Sequence, residues 1–394
     1  MKKVLTTLLL SAAIVGNTNA GWNDLNVNYQ NQVRRYKVYV PNNLSTNPSL
    51  VVALHGMGQN ADAISQTALT AISDTANMIL IAPEGLPFTH TLTGTINGMW
   101  NVGMVISNAL VGTVALNDNI DDIGFISLIT DSVIQQYGVD TNSIYAMGFS
   151  LGAFMTQRLA CELPNTFKAI ASLSGSRAST LPTCVPAQSI PTAIFYGTND
   201  AVVAADGTYT LQPLGLPLNV GISFDSLKQF WISKNNTATT PEVDTIGSAS
   251  NPYYIIRSQY NDAANEYPVA YYSIINGQHN WYDYSNTNNT FDLSHLSWYF
   301  FKGNRNIPVG IKETTAYQEM KVYPNPATTT LYLDQNKVGM SFTNAAIFNY
   351  LGQEVENVQI VNNSLKIEHL TPGMYLLKMT DNKGNIFMSK FIKQ

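Results

Sequence analysis

Charge is scarce in this chain. Only 12% of its 394 residues are charged, 26 acidic against 21 basic, for a net charge of −5. A phosphate-binding surface needs clustered Lys and Arg, so nucleic acid is excluded as a partner. Long apolar runs are also missing beyond the N-terminus, and no later segment is predicted to span a membrane. The uncharged stretch from Gly85 to Asn117 is broken by Pro87, Gly94, Gly98, Gly103 and Gly112, and reads as a surface excursion. Cysteine occurs twice, as Cys161 and Cys184, and histidine five times. Any chemistry that needs an imidazole has few residues to choose from.

What the N-terminus does have is a leader pattern. Lys2 and Lys3 precede a mostly apolar run from Val4 to Val15, and Thr18-Asn19-Ala20 places small residues where a signal peptidase reads. Residues 1–20 are therefore read as a secretory signal peptide rather than a membrane anchor, the run being shorter than the ~20 residues a span needs. In an exported protein two cysteines suit one disulfide, the alternative being two buried thiols.

From residue 21 to 303 the pattern alternates strand and helix. Val33–Val40 alternates as an antiparallel edge strand does. Leu50–Leu54 is a continuous apolar run, as expected of a strand buried on both faces, Met78–Pro83 and Ser143–Met147 read as further buried strands, and Lys168–Leu173, Thr192–Tyr196 and Ala270–Ile275 read as strands. Helices are predicted over Ala61–Asn77, Asp121–Tyr137, Leu151–Leu163, Phe224–Lys234 and Leu293–Phe301. This order implies a mainly parallel sheet with helices on both faces. Residues 304–319 read as a linker. From residue 320 to 394 strands are short and turns frequent, as at Asn362-Asn363 and Asp381-Asn382-Lys383-Gly384, which predicts a small β-sandwich.

The chemistry concentrates in three places. Gly148-Phe149-Ser150-Leu151-Gly152 matches G-x-S-x-G between a buried strand and a helix, the setting in which a sharp turn lifts a serine hydroxyl above the sheet. A glycine-rich turn with an incidental serine is the bland alternative. Serine needs a base. His279 lies in Asn276-Gly277-Gln278-His279-Asn280-Trp281, just past the last predicted strand. His90 precedes the serine, His295 lies in the final helix as a surface or packing residue, and His369 is in the tail. Asp200, in Gly197-Thr198-Asn199-Asp200, would orient the imidazole, with Asp206 as its rival. Asp121 and Asp122 read as a helix start. The order serine, acid, histidine is that of an α/β-hydrolase. His55-Gly56-Met57-Gly58 follows a buried strand, and the backbone N–H groups of Met57 and Leu151 are the expected oxyanion donors. His55 itself is read as holding that loop, since no second metal ligand stands at useful spacing. No metal and no cofactor is called for.

Phe149, Trp100, Trp281 and Tyr282 are the candidate substrate-binding residues. The excursion over residues 87–117 carries Met99, Trp100, Val102, Met104, Val105, Ile106, Leu110 and Val111, and is expected to form an apolar acyl cleft and partly a lid, or else an ordinary extra layer. An ester hydrolase acting through an acyl-enzyme is the expected activity. A serine peptidase on the same fold is the alternative, and a binding protein that has lost catalysis is disfavoured by the full set of groups.

Taken together, Arg35–Pro41, Leu54–Gly58, Ala82–Gly85, Trp100-Asn101, Asp121–Phe125, Gly148–Gly152, Arg158–Glu162, Gly197–Asp200 and Gly277–Trp281 resemble the esterases grouped with polyhydroxybutyrate depolymerases and feruloyl or acetyl-xylan esterases. The resemblance covers roughly residues 30 to 303. It implies Ser150, Asp200 and His279 as nucleophile, acid and base, and a disulfide between Cys161 and Cys184. The stretch between Trp100 and Asp121 is long for the family, and Gln278 stands where many members have Gly. The substrate implied is an ester of a polymer or oligomer. The tail, through Val322–Pro326, Ala346–Gln353 and Leu370–Tyr375, resembles the C-terminal sorting domain of the type IX secretion system. That implies the type IX machinery as a partner and a secreted or outer-membrane surface-attached location. A substrate-binding β-module is the other reading of the tail.

Overall fold

The computed structural model describes residues 19–91, 94–108, 112–181, 188–211, 216–283, 290–303, 318–333, 342–349, 354–361, 363–381 and 386–394. The predicted signal peptide lies almost wholly outside them, as does Cys184. Two compact units are present, Met1–Val309 and Gly310–Gln394.

In chain order the first unit contains β1 (Gly21–Tyr29), β2 (Gln32–Val40), β3 (Ser49–Leu54), α1 (Asp62–Ser65), α2 (Leu69–Ala76) and β4 (Met78–Pro83). Two hairpins follow, β5 (Leu86–His90) with β6 (Gly94–Met99), and β7 (Val105–Asn108) with β8 (Gly112–Ala115). Then come α3 (Asp122–Tyr137), β9 (Ile144–Phe149), α4 (Leu151–Glu162), β10 (Ala169–Leu173) and β11 (Thr192–Gly197). A third hairpin, β12 (Thr208–Leu211) with β13 (Leu216–Asn219), precedes α5 (Phe224–Asn235), β14 (Glu242–Ile246), β15 (Tyr254–Tyr260), β16 (Val269–Ile275) and α6 (Leu293–Phe301).

Ten strands form one sheet in the order β1-β2-β4-β3-β9-β10-β11-β16-β15-β14. The centre, from β4 to β16, is parallel. Both flanks are antiparallel. The central runs are apolar throughout because both faces are covered. In β3, Leu50, Val52 and Leu54 enter the core beneath α3, α4 and α5, while Val51 and Ala53 enter the core beneath α1, α2 and α6. The fold is that of an α/β-hydrolase.

Several elements differ from expectation. The helix expected over Ala61–Asn77 is two short helices. Ser65 Oγ donates to the Asp62 carbonyl and Thr67 Oγ1 to that of Ile64, side-chain bonds that compete with helix continuation. Val33–Val40 is the second strand, not the edge. β1 covers it, and its Asn-rich sequence hid it. Within the excursion, Met99, Trp100, Val102, Met104 and Ile106 are buried in the core under α3 and α4, so this part packs as an extra layer rather than a lid. Leu110 and Val111 lie outside the described residues. At the base of that layer Arg34 and Asp122 form an ion pair at 2.5 Å, almost wholly buried, with the Asn101 N–H on the second Asp122 oxygen at 2.7 Å. Asp121, as expected of a helix start, caps α3 by accepting from Gly124 N–H.

The second unit contains β17 (Gln318–Glu319), β18 (Val322–Tyr323), β19 (Thr330–Leu333), β20 (Phe342–Asn349), β21 (Glu354–Asn357), β22 (Ser364–Lys366), β23 (Gly373–Asp381) and β24 (Ile386–Lys393). A sheet ordered β17-β24-β23-β20-β21 and a sheet ordered β18-β19-β22 share one core, with Leu331 and Leu365 from one and Ile347, Leu377 and Phe391 from the other. The predicted linker ends earlier than 319, because Gln318 and Glu319 already pair with β24.

Candidate active site

Ser150 sits between β9 and α4 with φ 54° and ψ −121°. Positive φ is uncommon in a residue with a Cβ, and the surroundings enforce it here. The Ser150 N–H is tied to the Leu173 carbonyl at 2.8 Å. A Cβ on Gly148 would lie 2.2 Å from the Gly152 carbonyl oxygen, and one on Gly152 would lie 2.3 Å from that of Leu54. Only glycine lets strand, turn and helix approach this closely, so the two glycines of the motif are required by packing.

The loops after β11 and β16 are bound to each other through their backbones. The Asn199 N–H donates to the Gly277 carbonyl at 2.8 Å, and a Cβ on Gly197 would lie 2.4 Å from the same oxygen. This contact sets Asp200 beside His279. His279 Nδ1 lies 2.8 Å from Asp200 Oδ2, and His279 Nε2 lies 2.9 Å from Ser150 Oγ. The other Asp200 oxygen, Oδ1, accepts from the N–H groups of Val202 and Val203, each at 2.8 Å. The carboxylate side chain is fully buried. Asp206, the rival acid, is exposed and accepts instead from the Thr208 N–H. Phe149 packs against the His279 ring, centroids 4.8 Å apart.

Opposite the serine runs the turn after β3. The Gly56 N–H donates to Gln59 Oε1 at 2.8 Å and the Gly58 N–H to the Asn97 carbonyl at 3.1 Å, leaving the Met57 amide, between them, in neither bond. Leu151 is the first residue of α4, where an amide has no intrahelical acceptor. His55 is fully buried beneath this turn. Its Nδ1 lies 2.8 Å from the Gly56 carbonyl, and its Nε2 accepts from the Gly85 N–H at 3.1 Å. That pair fixes the tautomer with the proton on Nδ1. Burial pushes the imidazole pKa down to about 4, so the ring is neutral at ordinary pH.

Of the four aromatic residues expected at the substrate, Phe149 lines the cleft with Ser150 and His279. Trp281 stands 6.2 Å from Phe149 between ring centroids but is not among the residues lining the cleft, and donates its indole N–H to Ser294 Oγ at 3.0 Å. Trp100 does not line the cleft either. It is fully buried, donates its indole N–H to the His55 carbonyl at 2.9 Å and packs on the His55 ring at 4.9 Å. Tyr282 is also buried, its hydroxyl accepting from the Gln278 N–H at 2.6 Å and so holding the histidine loop. Both were expected on the acyl site, and both instead support the loops that shape it. The cleft has a volume of about 380 Å³ and is completed by Gln59, Ile96, Val202 and Tyr209, which no sequence motif marked. The remaining histidines lie elsewhere: His295 is buried in α6 near Asp292, His90 stacks on Phe88 and His369 is exposed in the second unit. Among the described residues no group of His, Cys, Asp and Glu could hold a metal ion.

The sheet order and the layers of helices give the first unit the α/β-hydrolase fold. Residues 38–231 match the family described as phospholipase/carboxylesterase, a span that includes Ser150 and Asp200 and ends before His279. Residues 321–394 match the secretion system C-terminal sorting domain. Among curated proteins, the chain is 32% identical to feruloyl esterase B of Thermothelomyces thermophilus, over 44% of this chain and 52% of the relative. It is 31% identical to acetylxylan esterase A of Emericella nidulans, over 40% of this chain and 45% of the relative. The chain thus spans about half the length of these curated relatives. A solved acetyl xylan esterase from Aspergillus awamori is 17% identical, with a TM-score of 0.49 over 72% of this chain and 100% of that one.

Proposed function

We propose that the first unit is a serine carboxylic-ester hydrolase working through an acyl-enzyme. The observation that carries this reading is the unbroken hydrogen-bonded series Asp200–His279–Ser150, anchored on a turn that only its glycines permit. His279 Nε2 takes the Ser150 proton as Oγ attacks the ester carbonyl. The amides of Met57 and Leu151 receive the developing oxyanion. His279 then returns the proton to the leaving alcohol, and water repeats the sequence to free the acid. Asp200 holds the ring with its proton on Nδ1.

The substrate class proposed is a hydroxycinnamoyl or acetyl ester of a polysaccharide, or a polyester. Feruloyl and acetylxylan esterases among the relatives support it, as does a cleft walled by Phe149, Ile96 and Val202. Each buried CH₂ contributes about 0.8 kcal/mol, so such a cleft favours larger acyl groups over acetyl. A fluorophosphonate probe is expected to label Ser150. Turnover of p-nitrophenyl butanoate, methyl ferulate, acetylated xylan and hydroxybutyrate oligomers then ranks the esters, with a peptide amide as the comparison. Absence of labelling, or cleavage of the amide in preference to every ester, overturns the reading.

The second unit is proposed to address the chain to the type IX secretion machinery after export by the signal peptide at residues 1–20, giving a secreted or surface-attached enzyme. The sorting-domain match supports this, and no described helix is long and apolar enough to cross a membrane. Deleting residues 321–394 in the native host is expected to leave the enzyme inside the cell envelope. A disulfide between Cys161 and Cys184 is proposed as well. It would close a loop of about 23 residues, stabilising by roughly 3 kcal/mol in the chain-entropy model. Two alkylated cysteines in unreduced protein, read by mass spectrometry, refute it.

A further inference from the structure

Tyr209 lies on β12, in the hairpin inserted between the acid loop and α5. It is 5% exposed, yet it lines the cleft together with Ser150, His279 and Met57. Its ring belongs to the buried core beneath α3, α4 and α5. Its hydroxyl donates to Met57 Sδ at 3.3 Å. A buried tyrosine hydroxyl ordinarily finds an oxygen or nitrogen partner, and a thioether is a weak acceptor. Here the hydrogen-bonding capacity of a buried phenol is spent on a flexible side chain that can swing aside. Burial, with a smaller contribution from the Asp200 charge, pushes its pKa up to about 12, so the group keeps its proton and remains a neutral donor.

We propose that Tyr209 is a specificity-determining residue, whose hydroxyl leaves Met57 and donates a hydrogen bond to an oxygen of the substrate other than the scissile carbonyl. The ligand chemistry is an ester carrying a hydroxyl, ether or further carbonyl oxygen close to the reacting bond. That oxygen could belong to the acyl group or to the alcohol. This inference rests on the esterase reading and deepens it. A site built around a hydrogen-bond donor rejects an analogue that lacks the acceptor, because the donor is then left with a poor partner. Met57 Sδ serves as the resting partner that keeps the empty site from carrying a wholly unpaired hydroxyl.

The test uses Tyr209→Phe in the full chain, with two matched pairs of esters. One pair is p-nitrophenyl butanoate and p-nitrophenyl 3-hydroxybutanoate, which differ in the acyl group. The other is propyl butanoate and glyceryl monobutanoate, which differ in the alcohol. The wild-type enzyme is expected to prefer the oxygenated member of one pair, and that pair names the side of the bond that Tyr209 reads. Tyr209→Phe is expected to lower kcat/KM for that member roughly 10- to 100-fold more than for its plain counterpart. An equal loss on all four esters would show a role in holding the cleft or the oxyanion and overturn the proposal. So would no loss on any, or a wild type that prefers neither oxygenated member. Wild-type enzyme inert on all four, with Ser150 unlabelled by fluorophosphonate, is instead the failure of the esterase reading itself.

Discussion

The two walls of the cleft are built on different terms. On one side the nucleophile turn, the acid loop and the histidine loop are joined backbone to backbone, at Gly148, Gly152 and Gly197, where a Cβ would lie 2.2 to 2.4 Å from a carbonyl oxygen. On the other side, hairpins contribute Ile96 and Tyr209 through side-chain packing. The first wall is dictated by steric necessity and tolerates almost nothing. The second is held by apolar contact, which many residues of suitable size can supply. On the esterase reading proposed above, the reaction type would follow from the first wall and the choice of substrate from the second.

The largest expected effect removes the chemistry of the first wall. Ser150→Ala should lower kcat by roughly 10⁶, and Asp200→Asn by about 10⁴, with the fold retained by circular dichroism. Substantial ester turnover by Ser150→Ala would break the division between the walls outright.

Next in size is a steric contrast. Gly152→Ala forces a Cβ against the Leu54 carbonyl and should cost about 1–3 kcal/mol or more, with loss of activity. Ile96→Ala, on a half-exposed hairpin residue, should cost under about 1.5 kcal/mol and change KM for bulky acyl groups while sparing small ones. Denaturant melts and a chain-length series measure both. Similar losses from the two variants would erase the distinction.

The third test concerns acid. His55 is neutral in the folded protein, with a pKa of about 4, and ordinary in the unfolded chain. Between about pH 6.5 and 4 the unfolded state binds the extra proton, so stability is full above that window and falls as pH drops through it. The full loss is on the order of 3 kcal/mol. His55→Gln should flatten that part of the stability curve. A wild-type curve that is already flat there would mean that this loop does not depend on an uncharged ring.

The smallest effect is expected from removing the second unit altogether. A chain ending at Val309 should keep its kcat/KM, because every described residue lining the cleft lies upstream and the two units are separately compact. Loss of activity with the first unit still folded would make the tail part of the substrate site.

The same contrast explains what could be read from the sequence. Ser150, Asp200 and His279 stand out because glycines fix the backbone around them and leave a spaced pattern of letters. The central strands were legible as apolar runs, since burial on both faces removes polar residues. Tyr209, Gln59, Ile96 and Val202 left no pattern, because each reaches the cleft through a three-dimensional packing decision. Trp100 was misplaced for a related reason. An aromatic residue in an uncharged stretch suits a pocket and a core equally well, and the indole bond to the His55 carbonyl that decides between them joins residues 45 apart. Strands β1 and β14 leave little apolar signal because sheet edges carry polar residues, and β15, one strand in, alternates buried with half-buried positions.

The φ of 54° at Ser150 has a consequence of another kind. Holding a residue with a Cβ in that region costs on the order of 1–3 kcal/mol, and glycine would occupy it without strain. Ser150, the proposed nucleophile, is thus among the strained residues of those described. A library randomised at position 150 and sorted only for heat resistance should enrich glycine and discard serine. Sorted for ester turnover, it should return serine at a lower melting temperature. The distance between those two melting temperatures would measure how far this chain stands from its own best-folded sequence in order to react.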